Sequence, residues 1–283
     1  MTLDTNKIHL MNSIDGMKLM LPESVDLVVT SPPYDKLRDY NDSSEWNFEV
    51  FKEVAQGLVD TLKPGGVICW NVADAIVPIH GKKNGTSRTG SSFRQCLYFM
   101  ELGLNFHDHI IYEKHAARFG ASAKGRRYSD VFEYVFVLSK GTPQHVQVIA
   151  DKKNKGYGGY FIKDGGRNKD GTRNADEEKT KIYVKEFGVR HNIWKICNSY
   201  GSGQSNRKAY QHPALMPQSL VSDLIRSYSH EGDLVMDPFM GSGTTAREAY
   251  KLSRDYIGFE VDPTFHALAE EINAEEMNSV FDK

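Results

Sequence analysis

The chain has 283 residues, of which 40% are hydrophobic and 25% charged, with a formal net charge of −2. These proportions suit a globular protein with a substantial core, and no apolar run reaches the roughly 18 residues a membrane span needs. The N-terminus, Met1-Thr2-Leu3-Asp4, lacks the basic-then-apolar pattern of a signal peptide. Cys69, Cys96 and Cys197 lie far apart without metal-type spacing, so reduced thiols in a cytoplasm and no bound metal are expected.

The charge is unevenly spread. Residues 80–94 carry Lys82, Lys83, Arg88 and Arg94 with no acid, and residues 114–128 carry Lys114, Arg118, Lys124, Arg126 and Arg127, again with none. Residues 151–208 hold 14 Lys/Arg against 7 Asp/Glu. One such run is ordinarily a solvated face, but three, all in expected loops or an insertion, suit a side that faces a polyanion.

In chain order, Lys7–Met11 reads as a short strand with Asn12 at its carboxyl end, and Ile14–Leu21 as a short helix. Val25-Asp26-Leu27-Val28-Val29 is a β-branched apolar run and reads as a buried strand. It meets Thr30-Ser31-Pro32-Pro33-Tyr34, where two prolines must end it, because proline fixes φ and has no N–H for a ladder. The result is a stiff turn at the carboxyl end of a strand, the edge where ligands sit in open α/β sheets. From these five residues alone, a plain surface turn is an equal reading. Residues 35–47 read as a loop over that edge. A helix from Phe48 repeats Phe51, Val54, Leu58 and Leu62 at helical spacing, stopped by Lys63-Pro64-Gly65-Gly66, after which Gly66–Val72 reads as a strand.

A basic loop from His80 follows, then a helix over about 92–102 with Phe93, Leu97 and Met100 on one side. Strands are expected at Phe106–Tyr112 and Val131–Leu138. With no helix between them they should form an antiparallel pair at one edge of the sheet, separated by a basic, ligand-ordered loop at 115–128. From 141 to 211 the texture changes to Lys, Asn and Gly with interleaved aromatics, and this reads as an inserted subdomain. After it come a helix over 217–228, a strand at 233–236, a Gly-rich turn, a helix over 245–252, a strand at 255–260 and a last helix from Pro263. Alternating strands and helices argue for a mostly parallel sheet wrapped by helices. The chain thus divides into 1–140, the insert 141–211, and 212–283, the outer two forming one α/β domain.

The Gly-rich turn is Asp237-Pro238-Phe239-Met240-Gly241-Ser242-Gly243-Thr244-Thr245. Its glycines let the backbone close around a ligand, and the helix after it offers N–H groups to an anion. Glu260, at the end of the next strand, stands where an acid can take both ribose hydroxyls of an adenosyl group. The dinucleotide and phosphate-loop spacings are absent, which disfavours NAD and ATP.

Together Ser31-Pro32-Pro33-Tyr34 and Asp237–Thr245 resemble the catalytic and cofactor motifs, [DNS]PP[YFW] and DPFxGSGTT, of the S-adenosylmethionine-dependent amino-methyltransferases of DNA. Lys63–Gly66 and His212-Pro213 match further family segments. Catalytic motif first, insert next and cofactor motif last is the circularly permuted β-group order. The resemblance implies a Rossmann-like α/β methyltransferase sheet with an inserted target-recognition region at 141–211. It implies S-adenosylmethionine as cofactor, held by Asp237, Pro238, Phe239, Gly241, Ser242, Gly243, Thr244 and Glu260. The family's Gly-Asp pair after the first strand is here Met11-Asn12. Asn12 is a candidate for the adenine edge, and equally a turn-forming Asn.

By the same resemblance, Ser31 Oγ and the Pro32 carbonyl accept hydrogen bonds from an exocyclic amine, Pro33 stiffens the turn, and Tyr34 stacks on a base flipped out of the duplex. The Phe132-Glu133-Tyr134 stretch resembles the element packing the far side of that pocket, and simple core aromatics would read alike. C5-cytosine chemistry needs a cysteine after proline, which none of the three cysteines is. Ser in the tetrapeptide, and the absence of lysine before the second proline of His212–Pro217, resemble N4-cytosine enzymes more than N6-adenine ones.

Duplex DNA is the implied partner, with Lys82, Lys83, Arg88, Arg118, Lys124, Arg126, Arg127, Arg167, Arg173 and Arg190 as candidate contacts. A cognate restriction endonuclease and a second copy of the chain are further candidate partners. Competing readings are an N6-adenine enzyme, a protein-glutamine methyltransferase (which normally has the cofactor motif first), a methyltransferase of structured RNA, and a silent DNA-binding module.

Overall fold

The computed structural model describes residues 3–33, 46–79, 86–114, 127–163, 169–170, 172, 180–197 and 203–281. Its central sheet has eight strands: β1 (Lys7–Leu10), β2 (Val25–Thr30), β3 (Leu62–Val72), β4 (Asn105–Lys114), β5 (Phe132–Ser139), β6 (Ile193–Ile196), β7 (Leu234–Asp237) and β8 (Asp255–Glu260). Their spatial order is β1-β8-β7-β2-β3-β5-β4-β6. All neighbours are parallel except β5, which runs against both β3 and β4. This is the mostly parallel α/β sheet the alternation implies. The chain enters the sheet at β1, beside the cofactor strands, and returns to them with β7 and β8 only after completing the other half.

The antiparallel pair of β4 and β5 forms as expected, but not at the edge. Strand β6 pairs parallel outside β4, with Ile193 opposite Ile111 and Ile196 opposite Lys114. Trp194 and Ile196 are buried while Ile193 and Lys195 are exposed, a two-residue alternation that covers an edge otherwise left with unpaired backbone.

This strand also moves the boundary of the insert. Residues 148–191 make a compact unit of their own, whereas 1–147 and 192–283 make the other, so the described residues 192–197 and 203–211, expected in the insert, belong to the sheet-bearing unit. In the smaller unit Tyr160–Lys163 pairs antiparallel with Thr180–Tyr183, and Lys152–Lys153 with Phe187–Gly188. Its aromatics Tyr157, Tyr160, Phe161, Tyr183 and Phe187 are exposed rather than packed into a core.

The helices are α1 (Ser13–Lys18), α2 (Phe48–Thr61), α3 (Ser91–Glu101), α4 (Gln218–Tyr228), α5 (Thr244–Lys251) and α6 (Pro263–Phe281). Asn12 caps α1 and Asn47 caps α2, each side chain accepting from backbone amides. Helix α2 buries Phe51, Val54 and Leu58, as its spacing predicts, against Trp70 and Phe99. Between α2 and the body of β3, Lys63–Gly66 forms a bulge: Val25 is level with Leu62, but Leu27 with Val67. Gly65 takes φ 81° there, a backbone state natural to glycine.

Helix α3 reverses the expected face. Phe93, Leu97 and Met100 are exposed, and Ser92, Gln95, Cys96 and Phe99 are buried. Polar partners decide it. Trp70 Nε1 donates to Gln95 Oε1 at 2.8 Å, and Ser92 donates from its amide and hydroxyl to Asp74 at 3.0 and 2.8 Å. Buried polar side chains with partners in hand carry little desolvation cost.

Candidate active site

The carboxyl ends of β2 and β7 lie side by side, with Met236 level with Val28. One buried hydrogen bond ties them: Thr30 Oγ1 donates to Asp237 Oδ1 at 2.6 Å. The turn at Ser31 is thereby fixed to the start of the Gly-rich turn more than 200 residues later in sequence. Ser31, Pro32 and Pro33 line a cavity at this point, together with Met11, Asn12 and Glu260 among others. Tyr34 lies outside the described residues.

The Gly-rich turn is organised by carboxylates. Asp237 is 2% exposed. Its other oxygen accepts from Thr245 Oγ1 at 2.7 Å, and Oδ1 also accepts from the Phe239 amide at 3.0 Å. Burial raises this carboxyl to about 6 despite those three donors. Glu260 receives the Gly241 amide at 2.8 Å on one oxygen and the amides of Val261 and Asp262 at 3.0 and 2.9 Å on the other. The Gly241 amide is thus engaged by Glu260. Burial also pushes the Glu260 carboxyl up, against the pull of these amides.

Of the residues expected to hold the cofactor, Asn12, Pro238, Phe239, Gly241 and Glu260 line the cavity. Asp237, Ser242, Gly243 and Thr244 do not line it and have structural tasks. The Ser242 carbonyl accepts from Arg247 at 2.5 Å, and Thr244 Oγ1 receives Gln204 and Arg247, both at 3.3 Å. Gly243 has φ 79°, and a Cβ there would sit 2.9 Å from Asn273 Oδ1. Asn12 lines the cavity, and its Oδ1 accepts the Ile14 amide at 2.8 Å, the turn-forming role.

These residues fit an adenosyl group. Glu260 is held rigidly by backbone donors and presents acceptor oxygens to the cavity, as a ribose diol requires. Met11, Val261 and Phe265 supply apolar walls, and the Phe265 ring packs edge-on against His212 at 4.3 Å.

The opposite wall was not assembled by sequence reasoning. It comprises Asn71 from β3, Tyr112 and Lys114 from β4, and Glu133 from β5. Asn71 Nδ2 donates to Glu133 Oε2 at 2.8 Å, and Lys114 Nζ lies 2.5 Å from Glu133 Oε1. Strand alternation corrects the expectation for Phe132-Glu133-Tyr134. Only Glu133 faces the cavity, while Tyr134 packs on Phe93 and stacks on Phe136 across the other face. The available signal was polarity: Glu133 is the one charged residue of its strand, and Asn71 interrupts an apolar run.

Of the candidate DNA contacts, Arg88, Arg127 and Arg190 are described. Each is held within its own unit: Arg88 pairs with Asp130 at 2.7 Å, Arg127 donates to Thr86 Oγ1 at 2.6 Å, and Arg190 pairs with Asp151. Lys82, Lys83, Arg118, Lys124, Arg126, Arg167 and Arg173 lie outside the described residues.

Comparison with known proteins shows the family. The family model for DNA methylases of the N6/N4 type matches residues 25–271. The chain belongs to that family. Its members are S-adenosylmethionine-dependent amino-methyltransferases of DNA, and the matched span runs from β2 into α6, taking in both turns of the site. The orphan methyltransferase M.BamHII of Bacillus amyloliquefaciens is 47% identical over 249 residues, 88% of each chain. The type II methyltransferase M.MjaI of Methanocaldococcus jannaschii is 27% identical, covering 96% of this chain and 93% of its own. Among solved structures, the fold is shared with PvuII DNA methyltransferase (cytosine-N4-specific), at TM-score 0.66 and 22% identity over 99% of this chain and 94% of that one. It is also shared with a putative DNA modification methylase of Thermus thermophilus in complex with S-adenosyl-L-methionine, at TM-score 0.62 and 22% identity over 95% and 93% of the two chains.

Proposed function

We propose that this DNA methylase transfers a methyl group to the N4 amine of cytosine in duplex DNA. The observation that carries the reading is the single cavity in which the Ser31 turn and the Glu260 carboxylate meet, fastened together by Thr30 and Asp237. Asn12, Pro238, Phe239, Gly241 and Glu260 are the residues that would hold S-adenosylmethionine. Bound there, the cofactor supplies an electrophilic methyl group whose leaving sulfur already carries the positive charge.

The chain's own work is to make a poor nucleophile attack. The lone pair of an exocyclic amine is delocalised into its ring. Ser31 Oγ and the Pro32 carbonyl, as paired acceptors, favour a pyramidal nitrogen with its lone pair localised. The two prolines hold that carbonyl in place, so the orientation is set before the base arrives. The base must leave the duplex to reach the cavity, and Tyr34 is the residue expected to stack on it. The exposed aromatic and basic unit 148–191 supports a target-recognition role, with Arg167 and Arg173 as contacts. Arg190, paired with Asp151, is better suited to holding that unit's fold.

The serine form of the tetrapeptide supports cytosine over adenine, as does the run from His212 to Pro217 without lysine. The name of M.BamHII, an orphan enzyme, supports action without a dedicated nuclease. The test is chemical. Duplex DNA incubated with the protein and cofactor, digested to nucleosides and read by mass spectrometry, should contain N4-methyldeoxycytidine. N6-methyldeoxyadenosine alone would overturn the cytosine assignment.

A further inference from the structure

Methyl transfer to a neutral amine leaves a problem that serine does not solve. As the nitrogen's lone pair forms the new N–C bond, sulfur keeps the pair of the breaking S–C bond, and the positive charge passes to the nitrogen. That nitrogen then holds a proton it must lose. Ser31 carries no charge and is too weak a base to take it. Among the described residues of the cavity wall, the carboxylates are Glu260, Asp262 and Glu133. Glu260 is bound by the amide of Gly241 in the cofactor turn and by those of Val261 and Asp262 just after its own strand, and Asp262 by the amides of Thr264 and Phe265 at the start of α6.

Glu133 is placed differently. Thr30 is level with Trp70, so Ser31 comes beside Asn71 on the neighbouring strand. The Asn71 amide reaches on to Glu133, which lies directly across from Tyr112. The three side chains Ser31, Asn71 and Glu133 thus line one cavity in succession across the sheet's carboxyl edge, Glu133 being 6% exposed. A buried carboxylate is costly to keep. Lys114 offsets that cost from the rim, its side chain 27% exposed, so it also offers the proton a way to solvent.

From this arrangement we infer that Glu133 is a catalytic residue: its carboxylate stabilises the positive charge developing on the target amine and accepts the departing proton. The N–H bond breaks with its electron pair staying on nitrogen, an O–H bond forms on Glu133, and the methylated amine leaves neutral. The carboxyl then returns the proton to solvent past Lys114. The inference rests on the amine-methylation reading above. Among the described residues, the groups facing Glu133 include Asn71 from β3 and Tyr112 and Lys114 from β4, with Cys197, just beyond β6, beside Tyr112.

The test uses the full chain on the DNA site it modifies. Glu133→Gln keeps the size of the side chain and an acceptor oxygen for Lys114, turns an N–H donor toward Asn71, whose amide can answer with its own oxygen, and removes the charge and the basicity. Its kcat should fall by about 100-fold, with affinities for cofactor and duplex within about twofold of wild type. Lys114→Met should keep at least about a tenth of wild-type kcat, whereas a pair that serves only the fold would make the two variants lose alike. A binding measurement needs no turnover. Without cofactor, wild type should prefer a duplex carrying the cationic base 3-methylcytosine at the target position by about tenfold more than Glu133→Gln does. If Glu133→Gln does not fold, Lys114→Met decides, since it should bind that duplex more tightly than wild type, and equal or weaker binding overturns the inference. Wild type that methylates an amine while Glu133→Gln retains full kcat overturns the role of Glu133 alone. Wild type that leaves duplex amines unmethylated overturns the reading beneath it.

Discussion

Asp237 shows how much of this site hangs on single side chains. In sequence it opens a cofactor motif, yet in the fold its carboxylate never reaches the cavity and instead fastens the Ser31 turn to the Gly-rich turn through Thr30 and Thr245. Burial lifts its carboxyl from the ordinary 3.8 to about 6, so the folded chain holds this proton more tightly than the unfolded one. Its contribution to stability is full below about pH 4 and is lost as the pH rises through about 6. Asp237→Asn removes that titration. The stability of wild type relative to the variant should therefore fall by roughly 2 kcal/mol between pH 4 and pH 7 in denaturant melts, and a pH-independent difference would contradict it. Ser31 and Glu260 were legible in the sequence because motif and strand end coincide. Asn71 and Glu133 carried only the signal of polarity in apolar strands, which does not say that both face one cavity until the strand partners are known.

Elements were legible where one periodicity dominated. Helix α2 buries the predicted stripe, because its apolar residues meet no competing polar partner. Helix α3 turns its apolar stripe outward, because Trp70 and Asp74 capture Gln95 and Ser92, a tertiary preference invisible in a local pattern. Helix α1 carries a further constraint, since a Cβ on Gly16 would lie 2.2 Å from the buried ring of Phe259 on β8. Helix propensity alone would favour Gly16→Ala by about 1 kcal/mol, but overpacking against a ring that has no room costs about 1–3 kcal/mol. The variant should be less stable than wild type in urea, and a raised midpoint would show that the ring can yield.

For the molecule as a whole, strand alternation gave the sheet class, and motif order gave the half of the sheet to which the chain returns. Strand β6 escaped notice because a four-residue strand inside a basic, Gly-rich stretch has no pattern of its own and is defined by the edge it covers. The charge distribution makes a prediction at this scale. A chain of net charge −2 that presents its basic segments to DNA should bind duplex with a log affinity falling steeply with log salt, at a slope of about −5 or steeper if six or more phosphates are contacted. A slope near zero would mean those segments face elsewhere.

On the proposed function, the Ser31 turn, brought to the cofactor turn by β2 and β7, is where a DNA amine accepts a methyl group. Labelled methyl incorporation into duplex DNA by wild type and Ser31→Ala, with cofactor affinity measured on the same preparations, tests this. Wild type should label the DNA, and Ser31→Ala should do so at least about 100-fold more slowly with cofactor affinity within about twofold. Labelling by Ser31→Ala at the wild-type rate would mean that the methyl group is accepted without the Ser31 hydroxyl.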